Sequence, residues 1–171
     1  MLICPVPRAG SNLKKSTMEL GGSDAFIVLE DADLEKTIKW AVWGKMNNMG
    51  HGCVAAKRFF VVEEVAGHFL HRFQSALEVL RPGDPMDPLT TLGPLSTESA
   101  LVKLLDRVKQ AVAHGAKLVK GGERLDRPGA FMQPVMLTHI QPDNRAFRDE
   151  FFGPIALLFT VKKRRRSGGA R

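Results

Sequence analysis

Short apolar runs alternate with longer stretches whose apolar residues recur every three or four positions, and that alternation restricts the chain to an α/β fold. Residues 25–29, 59–62, 117–120, 129–137 and 155–161 read as strands. Between them, Asp33 is placed to cap a helix carrying Leu34, Ile38, Ala41 and Val42 on one face. Trp40 and Trp43 fall off that stripe, and the helix should end near Gly50. A second helix is expected over 63–80, with Val65, Phe69, Phe73, Ala76, Leu77 and Leu80 at helical spacing. The proline- and aspartate-rich run 82–88 marks a loop. Ser96 can cap a third helix whose stripe is Leu101, Leu104, Leu105, Val108 and Val112, with Gly115 placed to end it. Strands alternating with helices imply a parallel or mixed sheet flanked by helices.

Composition fits a folded body. Hydrophobic residues make up 44% and charged residues 25%, which suits a packed core. The net charge of +7 misleads, because Lys162, Lys163, Arg164, Arg165, Arg166 and Arg171 carry most of it. Without those six, 19 basic residues face 18 acidic ones. The body is near neutral and no nucleic-acid partner is expected; the basic end, with no interleaved aromatic residue, reads as a disordered tail. No run of about 18 apolar residues suggests a membrane span. Residues 1–8 are too short an apolar stretch for a signal peptide. Two cysteines, Cys4 and Cys53, make no disulfide framework, so a reducing cytoplasm is the default location. His68 and His71 lack further ligands, and no metal site is expected.

The chemistry concentrates in two short segments. Cys53 stands in Gly50-His51-Gly52-Cys53, 34 residues after the glutamate of Glu19-Leu20-Gly21-Gly22. A thiol is a strong nucleophile even at neutral pH, where a few per cent is thiolate. Glycines on either side let backbone approach a substrate closely. A helix starting after Cys53 would offer unpaired amides to a thiolate and later to an oxyanion. Glu19 could then serve as general base for hydrolysis of a thioester. The plainer reading stays open: a single cysteine is commonly a small core residue, and a glutamate beside paired glycines a solvated turn residue.

Both segments resemble the signature segments of the aldehyde dehydrogenase superfamily, in the same order and spacing. A third, Glu150-Phe151-Phe152-Gly153-Pro154, is similar to another segment of that family. Smaller likenesses lie at Leu92-Gly93-Pro94, Gly121-Gly122 and Pro134, so the resemblance runs from about Arg8 to about Val161. The wording of Leu20-Gly21-Gly22-Ser23-Asp24 with Ala55-Ala56-Lys57-Arg58 resembles the bacterial succinate-semialdehyde dehydrogenase branch. The resemblance implies NAD(P)-dependent oxidation of an aldehyde, possible substrates including succinate semialdehyde. It assigns Cys53 as nucleophile and Glu19 as base. Glu150 would bind the ribose beside the nicotinamide, Phe152 would pack next to that ring, and Leu20 and Gly21 would line the same cofactor end. Either NAD or NADP fits.

The chain also departs from the family pattern. His51 stands where the family usually has glutamine, and reads as a tolerated surface substitution; Gly52 replaces a larger residue. Family members are much longer. The expected fold is therefore the catalytic-domain portion of an aldehyde dehydrogenase-like fold, truncated at both ends. Residues 1–18 would be a remnant of the cofactor-binding domain, 19–161 the catalytic portion and 162–171 the basic tail. Family members oligomerise, but the strands used for assembly are not expected here. The alternative function is a non-catalytic remnant with no cofactor turnover.

Overall fold

The computed structural model describes residues 5–17 and 21–162. Five strands form one mixed sheet in the order β1-β2-β5-β4-β3. These are β1 (Asp24–Val28), β2 (Ala56–Val62), β3 (Lys117–Lys120), β4 (Val135–Thr138) and β5 (Ile155–Val161). β1, β2, β5 and β4 run parallel, and β3 closes one edge antiparallel to β4. The central strands explain their own composition. All of β4 and the first five residues of β5 are buried, so they read as unbroken apolar runs, as expected for strands covered on both faces.

The helices follow the apolar stripes. After a short α1 (Pro5–Ser11), α2 (Leu34–Met46) begins at Asp33, whose Oδ1 accepts the Lys36 N–H at 3.2 Å. α3 (Glu63–Glu78) buries Phe69, Phe73 and Leu77. Phe69 and Phe73 pack on Phe59 of β2, with ring centroids 6.2 and 5.2 Å from it, tying helix to sheet. α4 (Glu98–Ala113) is capped by Thr97 rather than Ser96, its hydroxyl accepting the Ala100 N–H at 3.1 Å. A side-chain oxygen reaches the N–H three residues on only from the residue immediately before the helix, which is Thr97. The buried stripe of α4 ends on Ala111, not Val112, which is 39% exposed. Ala111 continues the three- and four-residue spacing from Leu104 and Val108, whereas Val112 lies one step round the helix. Gly115, at φ +93°, follows the last turn.

Elsewhere one predicted strand shortens and one helix appears where none was predicted. Only Val135–Thr138 of the 129–137 run is strand. Gly129 has φ +100°, Arg124 and Met132 form an isolated antiparallel bridge, and Pro134 offers no N–H, so regular pairing starts only beyond it. The helix at 5–11 was not foreseen, because Pro5 and Pro7 suggest an irregular start. Both lie in the first turn, where a missing N–H costs no intrahelical bond.

Candidate functional site

α2 ends at Met46, and the chain then turns through two non-glycine residues of left-handed backbone, Asn48 (φ 49°) and Met49 (φ 57°), followed by Gly50 (φ 71°). This unusual winding presses Gly50 against the carbonyl of Gly153; a Cβ at position 50 would collide with it. The residues that follow, 51–55, carry Cys53 to the surface, where its thiol is free and exposed. No helix follows Cys53. The Ala55 N–H donates to the Gly52 carbonyl at 3.2 Å to close a turn, and β2 begins at Ala56. The apolar, aromatic residues of 59–62 favour strand, so no helical N-terminus points at the sulfur.

Facing this loop is the segment 150–153, held from three sides. Arg107 of α4 donates to the Glu150 carbonyl at 2.7 Å. Lys45 of α2 donates to the Phe151 carbonyl at 3.3 Å. Lys57 of β2 pairs with the Glu150 carboxylate at 3.1 Å. The Gly22 N–H also donates to Glu150 Oε1, at 3.3 Å, while Oε2 faces Gly21 so closely that a Cβ there would collide. The same Lys57 ammonium donates to the carbonyls of Gly52 (3.1 Å) and Cys53 (2.8 Å). One nitrogen therefore lies within hydrogen-bond reach of both the Cys53 loop and the Glu150 carboxylate.

The structure thus gathers Gly21, Cys53, Glu150 and Phe152 at one end of the sheet. Glu19 and Leu20, and also Cys4 and the tail from Lys163 on, lie outside the described residues. His51 is not a plain surface substitution. It is half-buried and stacks on Phe152, centroids 5.2 Å apart and planes 23° from parallel. A flat imidazole beside a flat phenyl ring buries apolar surface that a solvated side chain would leave open.

Sequence reasoning missed two lysines. Lys45 and Lys57 are both fully buried. Burial, reinforced by the nearby Lys57, lowers the Lys45 pKa from 10.5 to about 7, against a smaller opposing pull from Glu150. His51 is likewise lowered from 6.5, first by burial and then by Lys45. A signal for Lys45 was present: it continues the Ile38–Ala41 stripe of α2, where an apolar residue belongs.

Chemically, an exposed thiol stands near a carboxylate 29% open to solvent and an aromatic ring 44% exposed. A carboxylate can accept hydroxyl donors, and a flat ring offers a surface for a planar heterocycle; together they fit one end of a dinucleotide. Among the described residues no group of three or more His, Cys, Asp or Glu side chains is arranged to hold a metal ion. No described helix is long and apolar enough to cross a membrane. An apolar cleft of about 430 Å³ shares no lining residue with this site; Phe60, Leu70, Phe147 and Phe159 are among its walls.

Residues 6–166 match the model of the aldehyde dehydrogenase family. The chain is 47% identical over 154 residues to the NADP(+) succinate-semialdehyde dehydrogenase of Deinococcus radiodurans, covering 90% of this chain and 32% of that protein. It is also 47% identical over 153 residues to a probable NADP(+) succinate-semialdehyde dehydrogenase of Synechocystis sp., covering 90% and 34%. The fold superposes on succinic semialdehyde dehydrogenase from Streptococcus pyogenes, solved with NADP+, with a TM-score of 0.87 and 41% identity over 92% of this chain and 35% of that one. Aldehyde dehydrogenase from Bacillus cereus, solved with NAD+, gives 0.86 and 30% identity over 93% and 32%. The chain spans about a third of the length of these relatives.

Proposed function

The chain belongs to the aldehyde dehydrogenase family, and from that premise we propose that Cys53 is the nucleophile of an NADP-dependent oxidation of succinate semialdehyde or a similar small aldehyde. The substrate and the cofactor follow from what the similar enzymes are named for. The observation that carries the reading is the shared anchoring of the Cys53 loop and the Glu150 carboxylate by one buried ammonium, with Phe152 alongside.

In this reading the Cys53 sulfur donates its electron pair to the aldehyde carbon, forming a C–S bond and placing negative charge on the carbonyl oxygen. The Cys53 N–H, fixed by the turn that follows it, is a donor for that oxygen. A nicotinamide cofactor, when bound, would supply the hydride acceptor through which this carbon is oxidised to the level of a Cys53 thioester. Glu150 would accept ribose hydroxyls, and Phe152, Leu20 and Gly21 would confine the ring. Glu19 would take a proton from water as its oxygen attacks the thioester; the C–S bond then breaks, releasing a carboxylic acid and the thiolate.

The test is purified protein with succinate semialdehyde or short aliphatic aldehydes, followed by absorbance of reduced NADP, beside Cys53→Ala. In parallel, limiting iodoacetamide and peptide mass mapping compare Cys53 with Cys4. The reading expects Cys53 to alkylate faster at equal exposure, and any turnover to vanish in Cys53→Ala. Equal exposure-corrected rates, or turnover that survives the substitution, would remove Cys53 from the role.

A further inference from the structure

Lys57 reaches both the Cys53 loop and the segment opposite it. β1 and β2 pair with Asp24 opposite Ala56 and Ala25 opposite Arg58, so Lys57 is the extra residue of a bulge. Beyond the bulge the strand alternates, and Lys57, Phe59 and Val61 all lie on its buried side, with Arg58 and Phe60 more open. The long basic side chain of Lys57 is therefore fully buried at the start of an apolar row. The strand beneath is firmly seated, with β1 on one side and β5 on the other. Lys57 is thus a fixed post just after the 51–55 loop.

An ammonium has three N–H donors. This one faces three acceptors: the Gly52 carbonyl at 3.1 Å, the Cys53 carbonyl at 2.8 Å and Glu150 Oε1 at 3.1 Å. It also stands 5.9 Å from the Phe152 ring centroid. An exposed lysine–glutamate pair contributes little, but a buried ammonium with every donor used is costly to disturb. Two of its acceptors are consecutive carbonyls of the loop that presents the thiol, and the third belongs to the segment opposite.

We propose that Lys57 is a positioning residue for the nucleophile: by tying the Gly52 and Cys53 carbonyls to the Glu150 carboxylate, it fixes where the Cys53 thiol stands relative to the 150–153 segment. This rests on the reading of Cys53 as the reactive thiol. The two are separable. Lys57 acts on backbone, so its effect is visible in the loop whether or not the sulfur is unusually reactive.

The experiment uses the 171-residue chain with Lys57→Met, Lys57→Arg, Glu150→Gln and the Lys57→Met/Glu150→Gln double variant. Amide hydrogen exchange is followed for 50–55 and for β5, and iodoacetamide alkylation of Cys53 is referred to Cys4. In Lys57→Met, exchange over 50–55 should speed up at least about tenfold with β5 unchanged, and the Cys53-to-Cys4 ratio should move at least about threefold. Lys57→Arg, which keeps the charge and several donors, should restore at least half of each change. Adding Glu150→Gln to Lys57→Met should do nothing further, because the tie is already broken. Unchanged exchange over 50–55 in Lys57→Met overturns the proposal, as does equal loosening of β5, which marks a general structural role. Additive effects of the two substitutions overturn it as well. If Lys57→Met does not fold, Glu150→Gln alone carries the test, and its failure to loosen 50–55 sinks the idea. Equal alkylation of Cys53 and Cys4 in the unaltered chain counts against the nucleophile reading instead, leaving the exchange result to decide on Lys57.

Discussion

His51 lies over Phe152, ring centroids 5.2 Å apart and planes 23° from parallel, and so links the Cys53 loop to the segment facing it. The contact holds a titratable ring where charging it is disfavoured. Burial lowers the His51 pKa below 6.5, and the Lys45 ammonium lowers it further.

The sign of the resulting pH dependence is definite. With a folded pKa below the unfolded one, the unfolded chain binds more protons in the window just below 6.5. Stability contributed by His51 is complete above that window and is lost as pH falls through it. In His51→Gln this acid-side loss should shrink. Urea midpoints for both proteins at about pH 5 and about pH 7 test it, the difference between them closing at the lower pH. Parallel pH profiles would show that His51 does not titrate differently on folding.

Lys45 predicts an opposite side of the profile. Its folded pKa is about 7 against 10.5 for a free lysine. Below pH 7 the side chain is charged in both states and the full cost of burying that charge is present. Between about 7 and 10.5 only the unfolded chain holds the proton, so stability rises by about 1.4 kcal/mol per pH unit. Lys45→Met should remove that rise. The variant's advantage over the parent should be greatest at neutral pH and below, and decline steadily toward pH 10. A stability difference that stays constant with pH would show that Lys45 remains charged in the fold.

The fold was largely legible because its elements obey simple periods. Phe69, Phe73 and Leu77 mark the buried face of α3 by spacing alone, and the apolar run of β5 announces a central strand. The site was legible only in part. Cys53, Glu150 and Phe152 stand in short segments whose wording marks them. Lys57 and Lys45 hide for one reason: each sits where the period of its element places an apolar residue, 57 with Phe59 and Val61, 45 with Ile38 and Ala41, while a lysine argues for solvent. The left-handed turn at Asn48 and Met49 has no local cause in side-chain preference for methionine; it accompanies the close approach of Gly50 to Gly153, a contact distant in sequence.

That packing makes Gly50→Ala a severe change. A Cβ in left-handed backbone costs roughly 1–2 kcal/mol. Collision with the Gly153 carbonyl adds about 1–3 kcal/mol, because the obstacle is backbone and cannot rotate away. Chemical denaturation should register most of that sum, whereas Gly67→Ala, at an exposed position of α3 with open space around its Cβ, should be neutral or stabilising. Comparable stability of the two variants would contradict the close approach of 50 to 153.

Gly21 presents a different kind of obstacle. A Cβ there would strike the carboxylate of Glu150, the far end of a flexible side chain rather than a carbonyl. Glu150 can swing aside, so Gly21→Ala should cost less than an immovable backbone collision would, on the order of 1–3 kcal/mol for the partners that Glu150 leaves. Swinging aside nevertheless breaks the Gly22 N–H bond and the pairing with Lys57, and removes the carboxylate from the place where ribose hydroxyls are proposed to bind. Calorimetric titration with NADP should therefore show weaker binding in Gly21→Ala, and Glu150→Ala added to it should weaken binding no further. Were Gly21→Ala to bind NADP as the parent does, while Glu150→Ala alone binds more weakly, Glu150 would hold the cofactor without needing its observed seat against Gly21.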